Sequence, residues 1–317
     1  MKPIGSIQLT NGTVLVGVEP ALGARVVDLR VAGGDNLFDV DPRLLRPPFP
    51  PPAVDTPFRP WNGRIVWSGP QASFWAQQDL KPEKKREKAA WPPDPFNETG
   101  RFEVAERTPT SVRLRGATSP VTGLALDHEF EITGLRRVRM RTTATNFREE
   151  PVSWDLWPNT RVRTNAFPYV PLDPQHTLRT DGPPSSDAAV GPYPTESRDG
   201  WLGMPPGHEP EGGYERLWAK AYVRPAQGLI ACFAGKHLLL ITAPVVPKER
   251  LHPEHALIEI YRAVGRGTDI LELEMHGPYE TLAPGASMSF EQVFEVLDYD
   301  GAAEGEAHRA RLAELAP

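Results

Sequence analysis

The sequence predicts an all-β protein, and three observations support this fold class. About fifteen segments alternate apolar and polar residues at a period of two, as half-buried strands do. Helical periodicity is confined to the C-terminal tail, Ala302–Leu315. The sequence contains no internal repeat, heptad pattern or Gly-rich phosphate loop. A chain of 317 residues could form one large β domain or two ordinary ones. Because its long loop regions are studded with aromatic residues and do not resemble flexible linkers, we predict one β-sandwich domain spanning residues 1–317.

Individual strands follow from alternation and from turn residues. Between residues 6 and 40, three runs place Ile, Leu and Val on one face, and Asn11-Gly12 marks a hairpin turn. Gly134 marks a second turn between two long β-branched runs. The later predicted strands are Arg101–Glu106, Ser111–Gly116, Leu124–Thr133, Arg137–Asn146, Val152–Thr164, Leu217–Arg224, Leu229–Phe233, Leu238–Ala243, Ala256–Tyr261, Asp269–His276 and Ser287–Leu297.

Two long loop regions, residues 42–100 and 165–216, interrupt the strands. Both are rich in proline and carry aromatic and amide side chains. Long loops on a rigid scaffold usually carry function. We therefore expect the two regions to meet at one side of the sandwich and to form the walls of a cleft.

Composition excludes several classes of protein. The net charge is −6, and glutamates interrupt the basic run Lys81–Lys88, which we interpret as a solvated loop or short helix rather than a nucleic-acid surface. The single cysteine, Cys232, lies in an apolar run and has no partner for a disulfide within one chain. The N-terminus has no apolar signal core, and no run of 18 apolar residues occurs. We expect a soluble cytoplasmic protein without nucleic-acid or membrane partners, as a monomer or homodimer.

The stretch Trp61–Pro95 is the first candidate for a binding surface. It holds four of the eight tryptophans, interleaved with amide and guanidinium groups. Aromatic rings stack on the C–H faces of sugars, and forked polar groups bind vicinal hydroxyls. Alternatively, the tryptophans anchor a long loop to the β core, because Trp is highly buried on average. In the sugar-binding interpretation, the contacting residues are Trp61, Asn62, Arg64, Trp67 and Gln71.

The segment Ile270–Pro278 carries the most concentrated titratable residues. Strand alternation puts its apolar residues on one face and Glu272, Glu274 and His276 on the other. A carboxylate beside a histidine commonly acts in general acid–base catalysis near neutral pH. The alternative is a solvent-facing strand of the sandwich without a catalytic role.

A second polar face is predicted in Trp154–Arg163. Asp155, Trp157, Asn159 and Arg161 are two residues apart and share one face if the strand stays regular through Pro158. A tryptophan beside an acid, an amide and a guanidinium suits a sugar subsite. The alternative is an ordinary strand with a polar outer face.

Metal ligands are suggested only by His252 and His255. Pro253 disfavours a regular helix between them, and no third ligand is evident nearby in the sequence. Motifs of serine hydrolases, zinc fingers and nucleotide-binding loops are missing. We therefore predict neither a metal ion nor an organic cofactor.

Five stretches, which together span most of residues 13–295, carry a resemblance to a known family. The stretches are VEPALGARVVDLRVAGGDNLF, WNGRIVWSGPQ, WPPDP, PVSWDLWPNTRV and LELEMHGPYETLAPGASMSFEQVF. They are similar to the galactose mutarotase-like superfamily, and most closely to a bacterial branch whose function is not defined. The resemblance implies a large antiparallel β-supersandwich with a sugar-binding concave face.

The resemblance also implies roles for single residues. In mutarotases, a glutamate general base lies on a C-terminal strand before a turn of the L-x-P-G type; here LELEMH precedes that turn, which implies Glu274 as the base. The histidine general acid of mutarotases lies in a strand that opens with Pro-Val, and Trp157 occupies that place here. The next candidates for the acid are His276 and then Asp155.

From these observations we predict a carbohydrate-binding protein that acts as an aldose 1-epimerase or a related sugar-modifying enzyme. Two alternatives stay open: a non-catalytic sugar sensor or binding module, and a structural protein that docks a partner on its concave face. Catalysis requires Glu274 and an acid in one cleft, whereas sensing requires only the aromatic rings.

Overall fold

The computed structural model describes residues 4–173, 178–182, 189–267 and 269–315. Two large sheets stack on each other, and we number their strands in chain order. The first sheet has eleven strands: β1 (Ile7–Thr10), β2 (Val14–Glu19), β3 (Arg25–Val31), β4 (Arg64–Gly69), β9 (Val152–Arg161), β11 (Leu178–Asp181), β12 (Val190–Pro192), β15 (Arg216–Val223), β18 (Ile258–Gly265), β19 (Ile270–Met275) and β20 (Glu280–Leu282). The second has ten: β5 (Glu103–Arg107), β6 (Ser111–Arg115), β7 (Leu124–Ile132), β8 (Arg137–Asn146), β10 (Phe167–Pro171), β13 (Glu196–Arg198), β14 (Trp201–Gly203), β16 (Leu229–Ala234), β17 (His237–Thr242) and β21 (Ser287–Asp298).

The strand order explains how distant segments meet. In the first sheet the order is β1-β2-β3-β4-β9-β19-β18-β15-β11, with β12 parallel to β15 and β20 paired with β9. In the second it is β13-β14-β10-β16-β17-β21-β8-β7-β6-β5. Strand β9 therefore lies between β4 and β19 and joins the tryptophan-rich stretch to the C-terminal strands.

The predicted strand alternation is confirmed where the two sheets pack together. In β19, Leu271, Leu273 and Met275 belong to the apolar core between the sheets, so the polar residues of this strand face the other way. Strand β9 runs through Pro158, which lies opposite Val66 of β4, so its polar face is continuous as well. The prediction of an all-β sandwich is thus confirmed.

Several strands were missed by sequence reasoning. Strand β4 lies inside the first predicted loop region, and β10 to β14 lie inside the second, which the sequence predicts to be irregular. Five of these six strands have only three to five residues, and three of those five contain Pro or Gly, so their own sequence gives little periodicity. Their pairing partners, such as β15 and β16, are distant in the chain.

Helices are few in the part of the chain that the structure describes. They are α1 (Pro82–Arg86), α2 (Pro95–Thr99) and α3 (Gly305–Leu315), with 3₁₀ turns at Gln71–Ser73 and Lys248–Arg250. The basic run, predicted as a solvated loop or a short helix, contains the short helix α1, and the predicted helical tail is confirmed. None of the described helices has the length and apolar character needed to cross a bilayer.

Candidate functional site

A cleft of about 620 Å³ lies on the outer face of the first sheet, over β4, β9, β19, β18 and β15. Aromatic side chains dominate its walls, and carboxylates with two cations lie among them. This composition resembles small-molecule sites, which combine an apolar lining with a few polar groups. The lining residues are Phe58, Pro60, Trp67, Gln71, Trp91, Trp157, Arg161, Asp181, Trp218, Lys220, Tyr222, Tyr261, Ile270, Glu272 and Glu274.

Strand register assembles the polar residues of the cleft into two rows across the sheet. One row contains Asn159, Glu274, Glu259 and Tyr222, which are successive cross-strand partners on β9, β19, β18 and β15. The next row, two residues along each strand, contains Arg161, Glu272, Tyr261 and Lys220. Opposite residues in antiparallel strands have their Cβ atoms about 5 Å apart, so neighbours within a row interact directly.

Glu274 is the carboxylate at the centre of the first row. Its Oε1 atom accepts a hydrogen bond from Asn159 at 2.8 Å, and its Oε2 atom lies 2.7 Å from Nζ of Lys220. Burial raises the pKa of the Glu274 carboxyl to about 8, and the nearby Glu272 and Glu259 add to the rise while the Lys220 ammonium opposes it. Glu274 is therefore a buried carboxyl whose ionisation is unusually costly.

Lys220 connects the two rows. Its ammonium lies 2.8 Å from Glu259 Oε2 and 2.7 Å from Glu274 Oε2, and it also lies 5.0 Å from the centroid of the Trp157 ring. Burial by itself would lower the pKa of Lys220, but the Glu274 and Glu259 carboxylates outweigh it and hold the pKa above its ordinary value. The same ammonium, with His276, holds the pKa of Glu259 below its usual range against the opposing effect of burial.

Aromatic rings form the floor and one wall of the cleft. Trp67 and Trp157, opposite each other on β4 and β9, meet edge to face with centroids 5.0 Å apart. Phe74 stacks on the ring of Trp157. Trp91 packs edge to face on Trp67, and Phe58 packs edge to face on Trp91, so these two rings extend the wall. The indole Nε1 of Trp67 donates to Glu98, whose other oxygen is 2.7 Å from Arg25, so this wall is held by a buried ion pair.

Beneath Trp157 lies a cluster of three titratable residues, Asp155, His255 and His276. The Nδ1 atoms of His255 and His276 lie 2.8 Å and 3.3 Å from the same oxygen, Oδ2 of Asp155. The two imidazole centroids are 3.8 Å apart, and each ring packs on Trp157. His276 Nε2 lies 3.4 Å from Glu259, so this cluster adjoins the row that carries Glu274.

Charge is distributed unevenly within this cluster. Burial by itself would raise the pKa of Asp155, but the hydrogen bonds and charges of the two histidines outweigh it and lower the pKa to about 2. Burial opposes protonation of His276, yet the Glu259 and Asp155 carboxylates raise its pKa to about 9. Burial and the charge of His276 together lower the pKa of His255. The Glu259 and Asp155 carboxylates therefore favour the charged form of His276, whereas burial and the charge of His276 favour the neutral form of His255.

The structure separates the predicted site residues into groups. Six line the cleft: Trp67, Gln71, Trp157, Arg161, Glu272 and Glu274. Two others hold cleft residues in place. Asn159 donates to Glu274, and Asn62 accepts from Arg161 at 2.6 Å, while Arg161 also pairs with Glu272 at 2.7 Å.

The other four predicted residues do not line the cleft. Asp155 and His276 are fully buried: the indole of Trp157 packs on the His276 ring, and Asp155 lies against the two imidazoles. Arg64 shares the inner face of β4 with Val66, and its guanidinium donates to Gln292 of the second sheet. Trp61 is only 2% exposed. Arg64 and Trp61 therefore do not line the cleft, and a sugar contact by either residue stays a prediction.

Sequence reasoning missed several residues of this region. Lys220, Glu259, Tyr222 and Trp218 come from strands β15 and β18, which carry no distinctive motif. Their alternation was a usable signal, since RLWAKAYV places Trp218, Lys220 and Tyr222 on one face. Nothing in the sequence indicated that this face adjoins Glu274.

The predicted meeting of the two loop regions is confirmed in part. Residues 42–100 contribute Phe58, Pro60, Gln71 and Trp91 to the cleft, besides Trp67 of β4. Residues 165–216 contribute Asp181 alone among their described members, because their other described strands join the edges of both sheets. Residues 174–177 and 183–188 of that region lie outside the described residues.

Comparison with solved structures identifies the fold. A galactose mutarotase-like protein from Lactobacillus casei superposes with a TM-score of 0.53 at 12% identity, covering 92% of this chain and 99% of that chain. A galactose mutarotase-like protein from Clostridium acetobutylicum gives 0.52 at 9% identity, covering 92% and 94%. A GalM/aldose epimerase homologue from C. elegans gives 0.51 at 14% identity, covering 93% and 99%.

These superpositions define the class of the fold: the chain is a galactose mutarotase-like β-sandwich, as the sequence resemblance implied. A family model matches residues 4–297, and its description is a domain of unknown function, DUF4380. The chain belongs to that family. A comparison with curated protein sequences returned no match.

Proposed function

We propose that this protein binds a sugar in the cleft and interconverts its anomers, as an aldose 1-epimerase or a related sugar-modifying enzyme. The observation that carries the proposal is the Glu274–Lys220 pair at the base of an aromatic-walled cleft. The solved structures of the same fold are named for mutarotases and aldose epimerases, which supports a sugar as the ligand class.

The aromatic rings supply the binding surface. Trp157, Trp67, Trp91 and Trp218 present apolar faces or edges around the cleft, and such rings pack against the C–H groups of a pyranose. Arg161 and Glu272 form a hydrogen-bonded pair at one side and suit adjacent sugar hydroxyls. Both cations of the lining are already paired with carboxylates, so the cleft favours a neutral sugar over an acidic one.

The reaction uses the pair at the base. Ionised Glu274 takes the proton of the anomeric hydroxyl, the bond between the anomeric carbon and the ring oxygen breaks, and a carbonyl forms at that carbon. Once Glu274 has taken up its proton, the Lys220 ammonium loses one of its two stabilising carboxylates and donates a proton to the ring oxygen. Rotation about the bond between the anomeric carbon and the next carbon then turns the other face of the carbonyl towards the ring hydroxyl. The reverse steps close the ring on that face and give the other anomer. The anomeric hydroxyl oxygen and the ring oxygen are both bonded to the anomeric carbon. Glu274 and Lys220, which lie 2.7 Å apart, can therefore reach one oxygen each.

His276 and Asp155 do not contact the sugar in this proposal. They lie beneath Trp157, and His276 acts through Glu259, which shares the Lys220 ammonium with Glu274. Trp157 stands where mutarotases carry their acid, and this observation favours the second candidate function, a sugar-binding protein without catalysis.

A panel of aldoses tests both candidates. Binding is measured by calorimetry, and anomer exchange by saturation-transfer NMR, for wild type, Glu274→Gln and the control Glu291→Gln on the second sheet. We expect the wild type and the control to accelerate exchange, and Glu274→Gln to bind sugar but act roughly 100- to 10,000-fold more slowly. Binding without acceleration by the wild type would support the non-catalytic candidate. A wild type that binds no aldose would overturn both.

A further inference from the structure

The cluster beneath Trp157 has the ligand set of a metal site. Asp155, His255 and His276 each offer one ligand atom, and these atoms all lie within 4.8 Å of one another. Two imidazole Nδ1 atoms converge on Oδ2 of Asp155, at 2.8 Å and 3.3 Å. Ligand atoms bound at about 2.0–2.2 Å in a tetrahedron are separated by a little over 3 Å, so the spacing requires little rearrangement.

Hydrogen bonding alone accounts poorly for this arrangement. Both histidines approach one carboxylate oxygen, while the second oxygen, Oδ1 of the fully buried Asp155, has no hydrogen-bond partner in the described part of the chain. Buried polar atoms are normally satisfied, so an unpartnered carboxylate oxygen at this depth is a candidate ligand atom. A cation between the three residues would bring both oxygens of Asp155 near a positive charge.

The surroundings also suit a cation. Glu259 lies 3.4 Å from Nε2 of His276, in the place of the outer carboxylate that commonly orients a metal-bound imidazole. Gly69 allows Asp155 and His255 to approach its backbone closely: a Cβ atom there would lie 2.2 Å from Asp155 Oδ1 and 2.8 Å from His255 Cε1. His255 also lines a second cavity of about 440 Å³, which offers a route for an ion to enter.

We propose that Asp155, His255 and His276 bind one divalent transition-metal ion, with Zn²⁺ as the best match. Two imidazoles and one carboxylate suit Zn²⁺ and its first-row neighbours, and they suit Ca²⁺ and Mg²⁺ poorly because those ions prefer oxygen ligands. The neighbouring group of Glu259, Glu274 and His276 is a weaker candidate, since the Lys220 ammonium already lies between its carboxylates.

The site lies under the cleft rather than in it. Trp157 separates the three ligands from the sugar cleft, and its ring is 5.5 Å and 5.1 Å from those of His255 and His276. The ion would hold β9, β19 and the turn before β18 together beneath the cleft floor. Metal binding at this site can therefore be measured independently of sugar binding.

The test uses untagged full-length protein that has been stripped with a chelator and dialysed. Zn²⁺ binding is measured by calorimetry, and Co²⁺ binding by its visible absorption and by quenching of tryptophan fluorescence through Trp157. The variant is His255→Ala, because His255 is the ligand least involved in the core. The matched control is His252→Ala, whose ring lies 5.7 Å from that of His255 but outside the ligand set.

We expect one ion per chain for the wild type and for His252→Ala, and at least about a 10-fold loss of affinity for His255→Ala. Asp155→Asn, which keeps the shape of the side chain, should lose affinity as well. Absence of stoichiometric binding would overturn the proposal and leave the cluster as an ion-pair network. Equal binding by wild type and His255→Ala, or equal loss in both histidine variants, would also overturn it.

Discussion

The ammonium of Lys220 on β15 lies 2.7 Å from the carboxylate of Glu274 on β19, although strand β18 separates their two strands. The contact is possible because Lys220 extends diagonally across the sheet, from the row that contains Glu272 to the row that contains Glu274 and Glu259. The Lys220 ammonium forms an ion pair with Glu259 as well. Three strands are thereby tied together by one cation at the base of the cleft.

Lys220→Met should destabilise the protein strongly. Two buried carboxylates would lose their counter-ion, and breaking a buried ion pair from one side typically costs about 3–5 kcal/mol. Urea unfolding measures the change in the free energy of unfolding. Lys85→Met is the matched control, because Lys85 pairs with the exposed Asp79 at a similar distance and should leave the unfolding midpoint unchanged. Equal midpoints for all three proteins would contradict the prediction.

Trp91→Ala should weaken sugar binding without destabilising the fold. Trp91 lines the cleft but is 46% exposed, and it packs mainly on Phe58 and Trp67. Losing one aromatic contact of about 0.5–1.5 kcal/mol corresponds to a decrease in affinity of roughly 10-fold at most. Calorimetry with the best-bound aldose and thermal unfolding provide the two readings. Phe147→Ala, which removes an exposed ring that does not line the cleft, should change neither.

Acid should destabilise the protein through His128. Burial lowers the pKa of His128 to about 3, with a further contribution from Arg64, so the ring is neutral in the folded protein. The unfolded chain takes up the proton near pH 6.5, and the stability that depends on neutral His128 is therefore present above that pH. It is lost as the pH falls from about 6.5 towards 3, by up to about 1.4 kcal/mol per pH unit.

His128→Asn isolates this effect. The asparagine amide can replace Nδ1 of His128 in the hydrogen bond to Thr142, which is 2.9 Å long, and it does not titrate in this range. Urea unfolding at several pH values should give a smaller decrease in the free energy of unfolding for the variant between pH 6.5 and 4. Parallel pH profiles for the two proteins would show that His128 is not the responsible group.

Local periodicity determined much of what the sequence predicts. Alternation in β19 placed Glu272, Glu274 and His276 on the face opposite the core, and alternation in β9 did the same for Trp157 and Arg161. Both assignments are correct because side-chain direction in a strand depends only on parity along the chain. The same parity separates Arg64 from Trp67 in β4, so Arg64 points towards the second sheet and Trp67 points into the cleft.

The tertiary structure alone decided which of these faces meet and what covers them. Lys220, Glu259 and His255 reach Glu274 and Asp155 through strand order and register, which depend on packing between segments that are far apart in the chain. His276 has the parity of a cleft residue, yet the indole of Trp157 buries it. A period of two assigns a side to each residue, but only the packed sheet determines its neighbours across strands and whether solvent reaches it.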